Sequence, residues 1–125
     1  MDKSQTFWID GPLPGLNELV GAANADKGCY KYNTIKKRWQ KIIGWAVKRA
    51  RLWPVTSAQF SFHWIERNKR RDPDNIAAGG RKLILDALVD LEILKNDGWK
   101  QVIAWEDRFT VNKHRPGVEV RIYSE

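Results

Sequence analysis

The chain has 125 residues, with 22 Lys and Arg against 15 Asp and Glu, a formal net charge of +7 and 42% hydrophobic residues. That is enough for one modest core, so a single domain over residues 1–125 is expected. The charge surplus suits a polyanionic partner, nucleic acid above all, although a membrane surface or an acidic protein would also fit. The lone cysteine, Cys29, excludes an intrachain disulfide or a CxxC metal cage.

The N-terminal "MDKSQTFWID" lacks the charged-then-apolar order of a signal peptide, and no stretch is apolar and long enough to cross a bilayer. A cytoplasmic protein with no membrane partner is therefore expected. Residues 5–9, "QTFWI", predict a short strand, closed by the Pro and Gly residues of "DGPLPG". The polar stretch after it predicts one helical turn and then a loop, with Lys27, Tyr30, Lys31 and Tyr32 near its end. From Thr34 to about Leu52, Ile35, Trp39, Ile42, Ile43, Ala46 and Ala50 recur at helical spacing, and Lys37, Lys41 and Lys48 share the opposite face.

"AQFSFHWIE", 58–66, alternates as a half-buried strand does. Pro73 suits the first turn of a helix, so the chain leaves this strand near Asp72 and a second helix carries Leu83, Ile84, Ala87, Leu88 and Leu91. "KNDG", 95–98, predicts a turn. Two more alternating runs, 101–111 and 117–123, are joined by "NKHRPG", which reads as a hairpin. The order β-α-β-α-β-β predicts an α+β (mixed α/β) fold, with a small mixed sheet of about four strands packed on two main helices. Most of the seven Trp are expected in its core.

"RRDPDN", 70–75, places Asp72 and Asp74 at the end of the densest cationic run, "RNKRR", at a strand-to-helix junction. Two readings are open from these residues alone. Asp and Asn before a helix cap its free N–H groups. Alternatively, carboxylates converging in a cleft hold Mg²⁺, a hard cation that takes oxygen ligands and bridges to phosphates. Asp97 joins such a site only if the turn and the next strand run back to it.

The combination of "RRDPDN", Lys82 with Asp86-Ala87-Leu88, and Asn96-Asp97 before a strand resembles the RusA family of Holliday-junction resolvases, many of them encoded by phages and prophages. The resemblance implies a Mg²⁺-dependent endonuclease, with Mn²⁺ a substitute, that cuts four-way DNA junctions in recombination and repair. It further implies a homodimer, because a near-two-fold junction is nicked in two strands. Carried over by position, Asp72, Asp74 and Asp97 are the metal-binding carboxylates, and Lys82 is the lysine that meets the scissile phosphate. Asp86 is left as a structural partner of Lys82.

The segment "IAAGGR" before Lys82 is longer than the family's by roughly one helical turn, about 5 Å. An added turn keeps Lys82 on nearly the same face but moves it along the axis, or else Gly79-Gly80 breaks or loops the helix and restores the distance; Arg81 is the substitute if Lys82 misses. Arg67, Lys69, Arg70, Arg71, Lys37 and Lys41 are the expected phosphate contacts, and Tyr30, Tyr32 and Trp99 are candidates to stack on opened bases. His63 and His114 lack partners at metal-ligand spacing, and no Walker loop is present. The competing functions are a branched-DNA-binding protein without cleavage and, more remotely, an RNA-binding or RNA-cleaving protein.

Overall fold

A computed structural model describes residues 3–124. Strand β1 (Ser4–Asp10) leads into helices α1 (Leu16–Asn24) and α2 (Tyr30–Ala50). Strand β2 (Ala58–Glu66), helix α3 (Pro73–Asp90) and strands β3 (Val102–Val111) and β4 (Gly117–Ser124) complete the chain. The four strands form one mixed sheet in the order β1-β4-β2-β3, an α+β arrangement as predicted. Strand β4 is antiparallel to both β1 and β2, whereas β3 runs parallel to β2.

Alternation along the strands decides which face is covered. Phe7 and Ile9 of β1, Phe60, Phe62 and Trp64 of β2, and Val118, Val120 and Ile122 of β4 are all buried. They meet Leu19 of α1, Ile43 and Val47 of α2, and Ile76, Leu83, Ile84 and Leu88 of α3 in one cluster. Phe60, Phe62 and Trp64 stack in sequence along β2, with centroids 6.1 and 5.4 Å apart. No helix among the described residues is long and apolar enough to cross a membrane.

Several expectations are corrected. The segment after residue 15 forms a full helix, α1, and α2 begins at Tyr30 rather than Thr34, so three helices are present among the described residues. The connection 112–116 is not a hairpin, because β2 lies between β3 and β4. Local turn chemistry resembles a hairpin, yet the loop crosses the end of β2, where the Asn112 amide donates to the Glu66 carbonyl at 2.8 Å. Finally, most Trp are not core: Trp64 is 2% exposed, but Trp45 is 69% and Trp99 99% exposed.

Of the two readings of the segment before Lys82 the continuous helix holds, and Gly79-Gly80 neither break nor loop it: α3 runs unbroken from Pro73 to Asp90. These glycines permit close approach instead. A Cβ on Gly79 would lie 2.4 Å from the Gly15 carbonyl carbon, and one on Gly80 2.4 Å from the Trp64 ring. Gly80→Ala is expected to destabilise the protein by about 1–3 kcal/mol, since the ring must leave its stack. Gly21→Ala, in α1 with nothing within 4 Å of the added methyl, is expected to stabilise it by about 0.5–1 kcal/mol. Urea midpoints check the pair, and equal signs would contradict the packing described.

Candidate active site

The end of the sheet where β2 finishes is organised by a buried acid. Glu66 is 9% exposed, and a buried carboxylate is costly without a partner. Arg71 supplies it: Nε donates to Glu66 Oε1 and Nη2 to Oε2, both at 2.9 Å, while Nη1 donates to the Leu13 carbonyl at 2.9 Å. The planar guanidinium suits this fork. Arg71 is thus a brace across the loop from β2 to α3, which corrects its reading as a phosphate contact.

With the loop pinned there, Asp72 falls at the N-cap of α3 in extended conformation (φ −73°, ψ 150°), but its side chain makes no capping bond. Capping therefore accounts for where Asp72 sits and leaves its carboxylate unexplained. Asp72 and Asp74 are both exposed, and no donor or cation among the described residues binds either one. Asn75 has a separate task, because its Oδ1 accepts the Asn17 amide at 2.8 Å and so caps α1 from outside that helix.

Exposed basic residues lie at the same end of the sheet as these acids. Arg67, Lys69 and Arg70 lie in the 67–72 loop, and the crossing 112–116 segment brings Lys113, His114 and Arg115 to the same end of the sheet. Arg115 stacks its guanidinium 4.9 Å from the Trp8 ring centroid. The hairpin reading hid these residues, although "KHR" was a visible basic run. Beside Asp72, Asn68 and Lys69 a groove of about 540 Å³ opens, walled by Ile76, Phe109 and Val111.

Other expected site residues are elsewhere. Because β3 is parallel to β2, it starts at the Ala58 end, where the Ala58 amide donates to the Gln101 carbonyl at 2.8 Å. Asp97 precedes it there and lies at the opposite end from Asp72, roughly 26 Å away along the eight residue steps of β2. The three acids do not converge within one chain. Among the described residues no group of three His, Cys, Asp or Glu side chains is placed to hold a metal.

Lys82 follows Asp74 by eight residues of unbroken helix, which sets it roughly 12 Å along the axis and about 80° around it. Its Nζ lies 3.8 Å from Asp86 instead. Arg81 is no substitute, since its Nη2 donates to Asp107 Oδ2 at 2.8 Å and its guanidinium lies 4.5 Å from the Trp105 centroid. Lys36 pairs with Asp86 and Gln40 with Asp90, so α2 runs parallel to α3. Lys37 and Lys41 are exposed, but this register puts them level with the C-terminal half of α3, roughly 20 Å below Asp74.

The uncovered face of the sheet carries His63. Its Nε2 lies 2.8 Å from Thr110 Oγ1 and Arg108 Nη2 lies 3.3 Å from its Nδ1, an arrangement that suits a neutral ring donating through Nε2. Burial, then the Arg108 charge, hold its pKa below the ordinary 6.5, against a smaller opposing pull from Glu119. No protein-family model and no curated protein sequence matches the chain.

Two outcomes are expected. Arg71→Ala should lower stability by about 1–3 kcal/mol by leaving Glu66 unpaired, whereas Arg67→Ala and Lys69→Ala, at exposed positions, should leave stability unchanged. Thermal melts separate these roles. In the second, the unfolded chain protonates His63 near pH 6.5 while the folded chain resists. The stability this provides is present above that pH and falls as pH drops through the lowered native value. Urea midpoints between pH 8 and 5 should show that slope in the wild type and a shallower one in His63→Gln.

Proposed function

We propose that the protein is a Mg²⁺-dependent endonuclease that cuts branched DNA, four-way junctions first among them, as a homodimer. The observation that carries this reading is a pair of exposed carboxylates, Asp72 and Asp74, free of capping bonds and directly following the exposed Arg67, Lys69 and Arg70. A surface that only bound DNA would gain nothing from them, since acids beside phosphate contacts repel the backbone unless a cation intervenes. The motif resemblance to the RusA resolvases points the same way.

The donor set fits Mg²⁺, which is commonly held by one or two carboxylates together with substrate phosphates and waters. Asp72 and Asp74 would hold it, with Mn²⁺ as a substitute, and the bound ion would supply charge neutralisation at the scissile phosphate and a more acidic water. Arg67, Lys69, Arg70 and Lys113 bind flanking phosphates and fix the DNA over the acids. Lys69, which shares the groove with Asp72, takes the position that Lys82 cannot reach. Asp97 belongs to the same site only as a residue of a second copy, which a symmetric dimer can provide.

Cleavage of a labelled synthetic four-way junction and of linear duplex, with and without Mg²⁺, tests this. Wild type is expected to nick the junction in paired strands only with metal, and Asp74→Asn to lose at least about 10²-fold in rate while binding the junction as tightly or more tightly. Tight binding without cuts under Mg²⁺ or Mn²⁺ would make this a DNA-binding module. Equal cutting by Asp74→Asn would remove the carboxylates from the chemistry.

A further inference from the structure

Strand β3 is the edge of the sheet, and it is long and bare. Its ten residues contain no Pro or Gly, and its outer backbone edge has no partner strand among the described residues. Its helix-side face continues the buried face of β2: Trp105 sits beside Phe60, Asp107 beside Phe62, Phe109 beside Trp64 and Val111 beside Glu66. Yet the helices stop short of it. Ile103, Trp105, Phe109 and Val111 are all exposed, Ile103 at 54% and Trp105 at 52%. A register shift against β2 leaves Ile103 in a bulge at its start, and from Ala104 to Val111 the register is regular; an apolar edge of this kind templates pairing with another strand.

We propose that the partner is the β3 strand of a second copy, paired antiparallel about a two-fold axis at Asp107. The sequence of the strand selects this occupant and this register. Centred there, Trp105 faces the partner's Phe109 and Glu106 the partner's Arg108, while Val111 lies opposite the bulge that holds the partner's Ile103. Aromatic, apolar and opposite-charge cross-strand pairs are the favourable kinds. A centre one residue earlier sets Glu106 against itself, and one residue later Arg108 against itself. The Asp107 register also keeps both helix layers on one side of a continuous eight-stranded sheet.

Asp107 itself meets its copy at the axis, and its charge is already compensated. Its carboxylate accepts from Trp64 Nε1 and from Arg81 Nη2, each at 2.8 Å. The interface stands independently of the nuclease reading. One consequence rests on that reading: reversing the strand direction carries the partner's Asp97 past Asn112 to the end of the sheet that holds Asp72 and Asp74.

Sedimentation velocity without DNA or metal tests the interface. Wild type is expected at twice the 14.5 kDa chain mass. Glu106→Arg and Arg108→Glu, which each set like charges across the axis, should each weaken the dimer at least about tenfold. An equimolar mixture of the two should dimerise again, because every cross-strand charge pair in the mixed dimer is opposite. Ile103→Glu with Val111→Glu should give monomer with an unchanged circular dichroism spectrum. A monomeric wild type, or a dimer indifferent to both charge reversals and to the apolar double variant, would overturn the proposal. Failure of junction cleavage would not bear on it.

Discussion

The parallel pairing of β2 with β3 is the constraint from which the rest of the molecule's layout follows. A parallel neighbour forces the chain to return along the full length of the sheet before it pairs again, and α3 makes that return. The residue that opens α3 and the residue that precedes β3 must then lie at opposite ends. Asp72 and Asp97, close in a motif, are separated in space by the length of a strand. The same pairing makes β3 an edge and leaves β4 to close the sheet on the other side of β2, so that the connection between them crosses the Glu66 end.

At that end the electrostatics divide into held and unheld charges. Glu66 and Arg71 are held, each satisfying a group that burial would otherwise penalise, and together with the Leu13 carbonyl they fix the entry into α3. Asp72, Asp74, Arg67, Lys69, Arg70 and Lys113 are not. Charges of both signs left exposed at one corner, where neighbouring acids and bases could have neutralised one another by direct contact, suit a ligand that itself combines a cation with a polyanion.

Much of this was legible in the sequence because it depends on local periodicity. Strand β2 occupies the residues its alternation predicts, 58–66, and Pro73 opens α3. What escaped depends on tertiary partners. Whether strands on either side of "NKHRPG" pair with each other is decided by β2, forty-odd residues earlier. Helix α1 was obscured by Gly21 and its small polar neighbours, and it is capped by Asn75 from another element. Gly79 and Gly80 looked like helix breakers, but their task is to admit Trp64 and the 14–16 corner. Exposed Trp45, Trp99 and Trp105 defied composition, since counting Trp residues says nothing about whether a second chain covers them. The acids were found by motif, and their separation could be known only from topology.

The most direct measurement is junction cleavage by a mixture of two variants that the proposed site expects to be inactive alone, Asp74→Asn and Asp97→Asn. If each site combines Asp72 and Asp74 of one chain with Asp97 of the other, a mixed dimer contains one intact site and one doubly altered site. Nicking in Mg²⁺ should then reappear in the mixture while each protein alone stays silent. If the mixture is as inactive as its components while dimers exchange, the acids do not act across a dimer. If Asp97→Asn alone cuts like wild type, Asp97 has no part in the site.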